Sequence, residues 1–365
     1  MRTRTVVAGL LALVAAFGVA ACGSSKKSSS SDVGGVSAPS GTINGAGSTL
    51  AAPVYQQWGS NLKGNGITLN YAPVGSGAGV AQWTAGTADF GASDPSLAPE
   101  DKSAAKKKGD PVQIPTVLGA ITVSYNLSGV DKGLKLDGKT IADIFLGKVK
   151  NWNDPEIKAL NSGIDLPSKS IQVVHRSDES GTTKGFTTFL SAYSPEWKSN
   201  VGADKTVKWP TGTGAKGNAG VAAAVKQSDG AVGYVEEAYA LQNNFTYADV
   251  KNKSGKFVEP TLDSTSAAAD GVTVPADLGY TAIDSPNPNA YPIASQTFVD
   301  VFKDMCKAGL EKGSAQRIVA FLNYGLGDGQ DVAKQLSYAP LPSSLLTKSQ
   351  DAVKSLQCNG SAISG

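Results

Sequence analysis

One strand–loop–helix segment near the middle of the chain constrains the fold more than any other feature of the sequence. The mostly apolar residues 171–174 predict a buried strand, and apolar residues recur at helical spacing after Gly185. Ser180, Gly181 and Thr182 therefore lie where a helix begins, and their backbone N–H groups have no acceptor within that helix. Together with the positive end of the helix dipole, these groups predict a binding site for an anion.

Two charged residues of the same loop strengthen the hypothesis of an anion site. Arg176 presents a planar fork of N–H donors that suits a tetrahedral oxyanion, and Asp178 can hold that fork in place. Considered alone, the segment is equally compatible with an ordinary capped helix beside a surface ion pair. The choice between these two interpretations depends on the rest of the chain.

The same order of strand, glycine-rich turn and helix start occurs twice nearer the N-terminus. Residues 42–49 and 67–79 each predict a strand that ends in such a turn, and a helix start follows both. A dinucleotide site is disfavoured because the turn at 75–79 lacks the sixth-position glycine and the later acidic residue. A Walker-type nucleotide loop is also absent, since Gly-Lys-Ser/Thr follows none of these turns.

Two further segments predict a third strand with a carboxylate at its end and the entry into a second lobe. A short strand at 88–93 ends in Asp94, which precedes a proline, and an aspartate in this setting is most often a turn former. Two apolar runs within 112–125 predict a pair of strands that lead into a second lobe. The length of 365 residues also favours two lobes, because one hydrophobic core seldom serves a chain of that size.

The charge balance and the histidine content exclude several classes of function. The chain has 33 basic residues, two of them in its first four positions, against 31 acidic residues. Only residues 106–108 approach a basic run, so we expect no nucleic-acid-binding face. With one histidine and no cluster of His, Cys and Asp at metal-ligand spacing, the sequence predicts neither a metal site nor a cofactor.

The N-terminal segment indicates export. Two arginines followed by an uncharged apolar run predict a signal peptide at residues 1–21, and the run is too short for a membrane-spanning helix. Residues 19–22 resemble a bacterial lipoprotein cleavage box, which implies acylation of Cys22 and a lipid anchor on the extracytoplasmic face of the cell membrane. A plain signal peptide with a stray cysteine is the alternative. Residues 22–40 are rich in Ser and Gly and predict a flexible tether.

Two cysteines remain after Cys22. In an exported chain, the pair Cys306 and Cys358 favours one disulfide bond. Two free buried thiols are the alternative.

Several segments together resemble the phosphate-binding lipoprotein family, the substrate-binding proteins of the high-affinity phosphate ABC transporter (phosphate-specific transport, Pst, system). The motifs GAGSTL, GSGAGV, DFGASDP and RSDESGT carry the resemblance, and the matching segments follow in order across most of residues 41–345. The matching segments are residues 45–50, 52–55, 75–80, 89–95, 136–152, 176–182, 207–210 and 230–239.

The resemblance implies an α/β, two-lobed periplasmic-binding-protein fold, similar to type II, with the ligand cleft between lobes that extended crossover segments join. Carried onto this chain, lobe I comprises residues 41–122 and 292–365, and lobe II comprises residues 123–291. It also implies a monomer that delivers inorganic phosphate to the transmembrane permease subunits of an ABC importer.

The resemblance further implies a set of phosphate ligands. At position 50 a leucine stands where the family usually has an aromatic residue, and only its backbone N–H is required. The positions that match are Thr49, Leu50, Ser76, Asp94, Arg176, Asp178, Ser180, Gly181 and Thr182. Helix N-termini and hydrogen bonds would then replace the water around one anion without net positive charge on the protein.

Two alternatives to a phosphate receptor remain. The first is a receptor for sulfate or molybdate, against which only Asp94 argues, because phosphate carries a proton that a carboxylate can accept. The second is a hydrolase of phosphate esters with Ser180 or Ser76 as nucleophile, which requires a base or a metal beside the serine. His175 should face away from Arg176, its neighbour on the strand, and we therefore expect a packed structural histidine and no enzyme.

Overall fold

The structure of the chain is a computed structural model that describes residues 30–33 and 36–363. The predicted signal peptide at residues 1–21 and the predicted lipidation site, Cys22, lie outside the described residues. Within the part that the structure describes, the helices are too short or too polar to cross a membrane.

The described residues form an α/β fold. The strands, in chain order, are β1 (Ser30–Val33), β2 (Val36–Pro39), β3 (Gly41–Gly47), β4 (Ile67–Ala72), β5 (Phe90–Ser93), β6 (Pro111–Asn126), β7 (Lys135–Leu136), β8 (Gln172–Arg176), β9 (Thr213–Ala215), β10 (Ala231–Glu236), β11 (Thr246–Tyr247), β12 (Asp249–Lys251), β13 (Phe257–Val258), β14 (Ala294–Phe302), β15 (Gln357–Cys358) and β16 (Ser361–Ala362). The helices are α1 (Ala52–Leu62), α2 (Ser76–Ala85), α3 (Pro99–Ala105), α4 (Gly138–Phe145), α5 (Pro155–Leu160), α6 (Gly181–Tyr193), α7 (Pro195–Asn200), α8 (Gly217–Gln227), α9 (Glu237–Gln242), α10 (Leu262–Ala267), α11 (Lys312–Gly325), α12 (Gly329–Gln335) and α13 (Ser343–Lys354).

A mixed sheet of nine strands runs through both lobes. Its strand order is β4-β3-β5-β14-β6-β10-β8-β9, and β11 pairs with β6 beside this path. Residues 111–120 of β6 pair with β14, whereas residues 121–126 pair with β10. One lobe is therefore built on β4, β3, β5, β14 and the first part of β6, and the other lobe on the second part of β6 with β10, β8 and β9.

The continuity of β6 corrects the sequence prediction of two strands within 112–125. Residues 113–125 are all buried, so no exposed residue interrupts the strand at a point where a surface turn could form. The register with β14 shifts by one residue beside Pro115, and such a bulge accommodates a proline, which lacks the N–H of a regular strand residue. The chain therefore passes from one lobe to the other as a single extended strand.

The parallel strands bring the loops of the predicted site to the cleft. Strand β3 pairs in parallel with β4 and β5, and β8 pairs in parallel with β9 and β10. Helices α1, α2 and α6 begin shortly after β3, β4 and β8 respectively. Because ligands of open α/β sheets bind beyond the carboxyl ends of parallel strands, these helix starts are the expected place for a ligand.

The segment before residue 41 differs from the sequence prediction. A flexible tether is predicted at residues 22–40, but β1 and β2 form an antiparallel hairpin. Ala38 is fully buried, and Nη1 of Arg317 in α11 donates a hydrogen bond to the Pro39 carbonyl at 3.4 Å. Apolar burial and this hydrogen bond hold the hairpin on the lobe, so the fold begins before residue 41.

A disulfide bond joins the two cysteines that follow the signal segment. It links Cys306, just after β14, to Cys358 in β15. The carboxylate of Asp304 supports the same junction, because it accepts hydrogen bonds from the N–H groups of Asn359 and Gly360 at 2.9 and 2.7 Å. The segment after α13 is thereby tied to the end of β14.

Candidate functional site

Three helices begin at the boundary between the lobes. Ser180 is the N-cap of α6, and its Oγ accepts a hydrogen bond from the Thr183 N–H at 3.1 Å. The N-cap residues of α1 and α2 are Ala51 and Gly75, and neither has a polar side chain that could cap its helix. A helix start without a capping side chain keeps backbone N–H groups and the positive end of its dipole for another partner.

The two lobes meet closely at these helix starts. A Cβ atom on Gly181 would lie 2.7 Å from the Asp94 Cβ, and closer still to Asp94 Oδ2 and Ser76 Oγ. At the next contact, the N–H of Gly77 in α2 donates a hydrogen bond across the cleft to the Glu179 carbonyl at 3.2 Å. The structure therefore shows the lobes closed on each other at this point.

Asp94 lies at the centre of the contact between the lobes and is buried. Its Oδ1 accepts a hydrogen bond from Ser48 Oγ, and its Oδ2 accepts one from Ser76 Oγ at 3.4 Å. Burial raises the pKa of Asp94 from 3.8 to about 6, although the hydrogen bond from Ser48 and the positive charge of Arg176 act in the opposite direction. Sequence reasoning missed Ser48, although it directly precedes Thr49 in the first glycine-rich turn.

Arg176 is held in the cleft by a bidentate ion pair. Its Nε and Nη2 donate to Asp178 Oδ1 and Oδ2 at 2.7 and 2.6 Å, and its Nη1 donates to Thr182 Oγ1 at 3.4 Å. Burial acts most strongly on the pKa of Asp178 and would raise it, but the bonds and the charge of Arg176 lower it overall. Asp178 therefore stays ionised and fixes the plane of the guanidinium.

Asn218, in the first turn of α8, connects the threonines of the two lobes. Its Nδ2 donates hydrogen bonds to Thr49 Oγ1 at 2.8 Å and to Thr182 Oγ1 at 3.2 Å. Its Oδ1 accepts a hydrogen bond from the Glu236 N–H at 2.9 Å, and the side chain is fully buried. Sequence reasoning missed Asn218, because no local pattern marks it.

A buried acid lies behind the first turn of α1. The Tyr338 hydroxyl donates a hydrogen bond to the Leu50 carbonyl at 2.6 Å, and its oxygen lies 3.0 Å from Glu236 Oε2. Complete burial and the neighbouring charge of Glu237 raise the pKa of Glu236 well above its usual value. A neutral Glu236 therefore fits this apolar position, where the Leu50 side chain is also fully buried.

His175 belongs to the packing of the second lobe. Its ring stacks on Trp209 with the ring centroids 4.7 Å apart and the planes inclined by 13°. Burial lowers the pKa of His175 below its usual value, which favours the neutral ring. This position matches the prediction of a packed structural histidine.

The structure brings most of the predicted ligand residues together. Gly181 contacts Asp94 and Ser76, and Arg176 contacts Thr182, which Asn218 links to Thr49. Three predicted residues also have structural roles: Asp178 lies behind Arg176, the Ser180 hydroxyl caps α6, and the Leu50 side chain lies in the core, whereas only its backbone N–H is predicted to bind the ligand. Among the described residues, no group of three or more His, Cys, Asp and Glu side chains is arranged to hold a metal ion.

The fold and the cleft define the class of protein. Two α/β lobes share a continuous strand, and donors for an anion come from both lobes, as in two-lobed substrate-binding proteins. A family model described as "PBP superfamily domain" matches residues 33–326. A phosphate-binding protein PstS from Pasteurella multocida is 42% identical over 313 residues, which cover 85% of this chain and 89% of that protein. The chain belongs to the PBP superfamily and, within it, to the family of the phosphate-binding protein PstS.

Solved structures agree on the fold. A high affinity periplasmic phosphate-binding protein (PfluDING) bound with phosphate at pH 8.5 matches with a TM-score of 0.72 and 23% identity, covering 85% of this chain and 93% of that chain. The phosphate-binding protein from Stenotrophomonas maltophilia matches with a TM-score of 0.66 and 20% identity, covering 88% and 99%. At these identities the two structures support the two-lobed fold.

Proposed function

We propose that this chain is an extracytoplasmic receptor that binds inorganic phosphate in the cleft and delivers it to the permease of an ABC importer. The membership of the PstS family supports the substrate class. The observation that carries the proposal is the position of Asp94, a buried carboxylate among groups that otherwise donate to an anion. Such a carboxylate repels an anion unless that anion offers a proton.

Hydrogen phosphate meets this requirement, whereas sulfate does not. Above pH 6 Asp94 is largely ionised and can accept the P–O–H proton of the ligand in a charge-assisted hydrogen bond. Sulfate and molybdate near neutral pH have no proton to offer and would leave two negative charges in contact. A site that accepts a hydrogen bond from a donor group of its ligand discriminates against analogues that lack this donor by a factor of as much as ~10⁴–10⁵.

We assign the other ligand contacts by the same logic. The backbone N–H groups at the starts of α1, α2 and α6 and the Arg176 guanidinium would donate to the unprotonated oxygens. Asp178 would orient Arg176. The residues proposed to contact phosphate are Thr49, Leu50, Ser76, Asp94, Arg176, Ser180, Gly181 and Thr182.

A receptor accounts for the serines better than a hydrolase does. The Ser180 hydroxyl is engaged as the cap of α6, and the Ser76 hydroxyl both donates to Asp94 and accepts from its N–H at 3.2 Å. His175, the one histidine, stacks on Trp209. We therefore propose a protein that binds phosphate without turning over its esters.

The pairing of β6 supports the proposed division into lobes. Its partner changes from β14 to β10 between residues 120 and 121, close to the boundary of lobe I (41–122 and 292–365) and lobe II (123–291). Lobe closure then follows from contacts that the ligand makes only when both lobes meet. We further propose a monomer that is anchored to the cell membrane through acylated Cys22.

Native mass spectrometry and calorimetry test the proposal. Protein purified without added phosphate should carry phosphate, and phosphate-free protein should bind phosphate far more tightly than sulfate. Incubation with a chromogenic phosphate ester should release no product. Equal affinity for the two anions, or turnover of the ester, would contradict the assignment.

A further inference from the structure

We propose that Asn218 is a positioning residue that makes the hydroxyls of Thr49 and Thr182 obligate hydrogen-bond donors toward the ligand. The inference rests on the proposed function, because it concerns how the same cleft recognises phosphate. As a consequence, the unprotonated oxygens of the ligand and its protonated oxygen bind different groups of the protein. The threonine hydroxyls donate only to unprotonated oxygens of the ligand, and the proton of the ligand is directed to Asp94.

The orientation of the Asn218 amide follows from its partners. The Glu236 N–H is a donor and lies 2.9 Å from one end of the amide, so that end must be the oxygen. The NH₂ group then faces Thr49 Oγ1 at 2.8 Å and Thr182 Oγ1 at 3.2 Å. Both amide hydrogens are therefore committed to the two threonines, and neither hydroxyl can donate to Asn218.

Each threonine oxygen has a second donor as well. Thr49 Oγ1 also accepts from the Asn218 backbone N–H at 3.3 Å. Thr182 Oγ1 also accepts from Arg176 Nη1 at 3.4 Å. A hydroxyl oxygen has two lone pairs, so both oxygens are saturated as acceptors and only their O–H groups remain for another partner. That partner must accept a hydrogen bond, as an unprotonated oxygen of an anion does.

The same bonds join the two lobes. Thr49 belongs to the loop after β3, whereas Asn218 and Thr182 belong to the other lobe. The Tyr239 hydroxyl adds a bond to the Thr49 carbonyl at 2.7 Å from the same side as Asn218. Thr49 is therefore oriented by the lobe that closes on it.

A double-mutant cycle measures this role. Phosphate-free wild type, Asn218→Ala, Thr49→Val and the double variant are titrated with inorganic phosphate by calorimetry. We expect Asn218→Ala to weaken binding about tenfold, and Thr49→Val to cost much less in the Asn218→Ala background than in wild type. If the two effects simply add, Asn218 does not orient the hydroxyl and the inference is wrong.

An isosteric change and a matched control separate orientation from packing. Asn218→Asp preserves the shape but replaces the NH₂ group and its two donor hydrogens by an acceptor oxygen, so the hydroxyls turn toward the new carboxylate and binding should weaken about a hundredfold. The control is Asn161→Asp, because Asn161 is also buried and its Nδ2 donates to the Lys135 and Ile157 carbonyls far from the cleft. The control should keep the wild-type affinity, and a loss equal to that of Asn218→Asp would overturn the inference.

A spectroscopic measurement reports the hydroxyl direction itself. In ¹H–³¹P correlation spectra of the phosphate complex, the hydroxyl protons of Thr49 and Thr182 should show coupling to phosphorus across their hydrogen bonds. In Asn218→Ala these correlations should weaken or vanish, while Thr49→Ser should retain them. Wild-type protein that fails to bind phosphate would refute the proposed function, whereas unchanged correlations in Asn218→Ala would refute this inference alone.

Discussion

Gly181, at the start of α6, packs directly against Asp94 of the other lobe. A Cβ atom at position 181 would lie 2.7 Å from the Asp94 Cβ, nearer than real Cβ contacts come. The loop of one lobe thus approaches the carboxylate of the other as closely as a glycine allows. This close approach explains why the first residue of α6 is a glycine. It also makes lobe closure sensitive to one added methyl group.

We expect Gly181→Ala to prevent full closure of the cleft. The new methyl group would collide with Asp94 and Ser76, so phosphate affinity should fall by more than about a hundredfold, a loss of roughly 3 kcal/mol. Titration calorimetry measures this phosphate affinity. In the control Gly220→Ala, the methyl group lies an ordinary 3.6 Å from Ala215, and affinity should be retained. Wild-type affinity in Gly181→Ala would show that this contact is not needed for binding.

Asp94→Asn should reduce discrimination against sulfate. The amide can donate to either anion, so sulfate binding should rise relative to phosphate binding, while phosphate binds more weakly than in wild type. Calorimetric titration of both proteins with both anions gives the ratio. The control is Asp300→Asn, because Asp300 is also fully buried but accepts its hydrogen bond from Gln113 on the neighbouring strand β6. An unchanged ratio of sulfate to phosphate affinity in Asp94→Asn would show that Asp94 is only a turn residue.

The buried carboxylate also predicts a pH-dependent difference in stability. Burial raises the pKa of Asp94 to about 6, so the native state holds its proton between about pH 4 and 6, where the unfolded chain has released it. The free energy of unfolding therefore falls as pH rises through this window and is lower above pH 6 by up to about 3 kcal/mol.

Asp94→Asn removes this dependence. Urea unfolding of phosphate-free protein should show the variant more stable than wild type at pH 8, with the difference shrinking toward pH 4. In the control Asp351→Asn, which alters an exposed carboxylate, the wild-type pH dependence should persist. A difference that does not vary with pH would show that Asp94 is ionised alike in both states.

The disulfide bond should stabilise the chain without affecting the cleft. It closes a loop with a sequence separation of 52 residues, so the double change Cys306→Ala and Cys358→Ala should lower the free energy of unfolding by about 2–4 kcal/mol. Phosphate affinity should not change, because both cysteines lie away from the site. Two reactive thiols in the folded, non-reduced wild type would show that the bond is absent.

An ion pair across the cleft should favour the closed form. Lys205 Nζ lies 3.0 Å from Asp101 Oδ2. Lys205→Ala should weaken phosphate affinity about two- to fivefold at low salt, and less at high salt, since exposed pairs contribute roughly 0.2–1 kcal/mol.

The matched control for this ion pair is Lys169→Ala, whose partner Asp229 belongs to the same lobe, and its affinity should equal that of wild type. Small-angle scattering should also show a smaller radius of gyration on addition of phosphate to wild type. An unchanged affinity in Lys205→Ala at low salt would exclude a contribution of this pair to closure.

Local features of the cleft can be predicted from the amino-acid sequence. The stretch at 171–185 contains strand β8, the cap at Ser180 and the start of α6, as its pattern indicates. The glycine-rich turn at 75–79 contains the start of α2, as predicted. Hydrophobic periodicity, caps and turns act between residues only a few positions apart, so the sequence displays them directly. The set of phosphate ligands stays a prediction from resemblance.

Other features became visible only in three dimensions. The continuity of β6, the hairpin before residue 41 and the roles of Ser48 and Asn218 left no mark in the local pattern. The bond from Asn218 to Thr49 joins residues 169 positions apart. Such contacts depend on the path of the whole chain, because a hydrogen bond across a cleft requires both lobes to be folded and docked before its donor and acceptor come within reach.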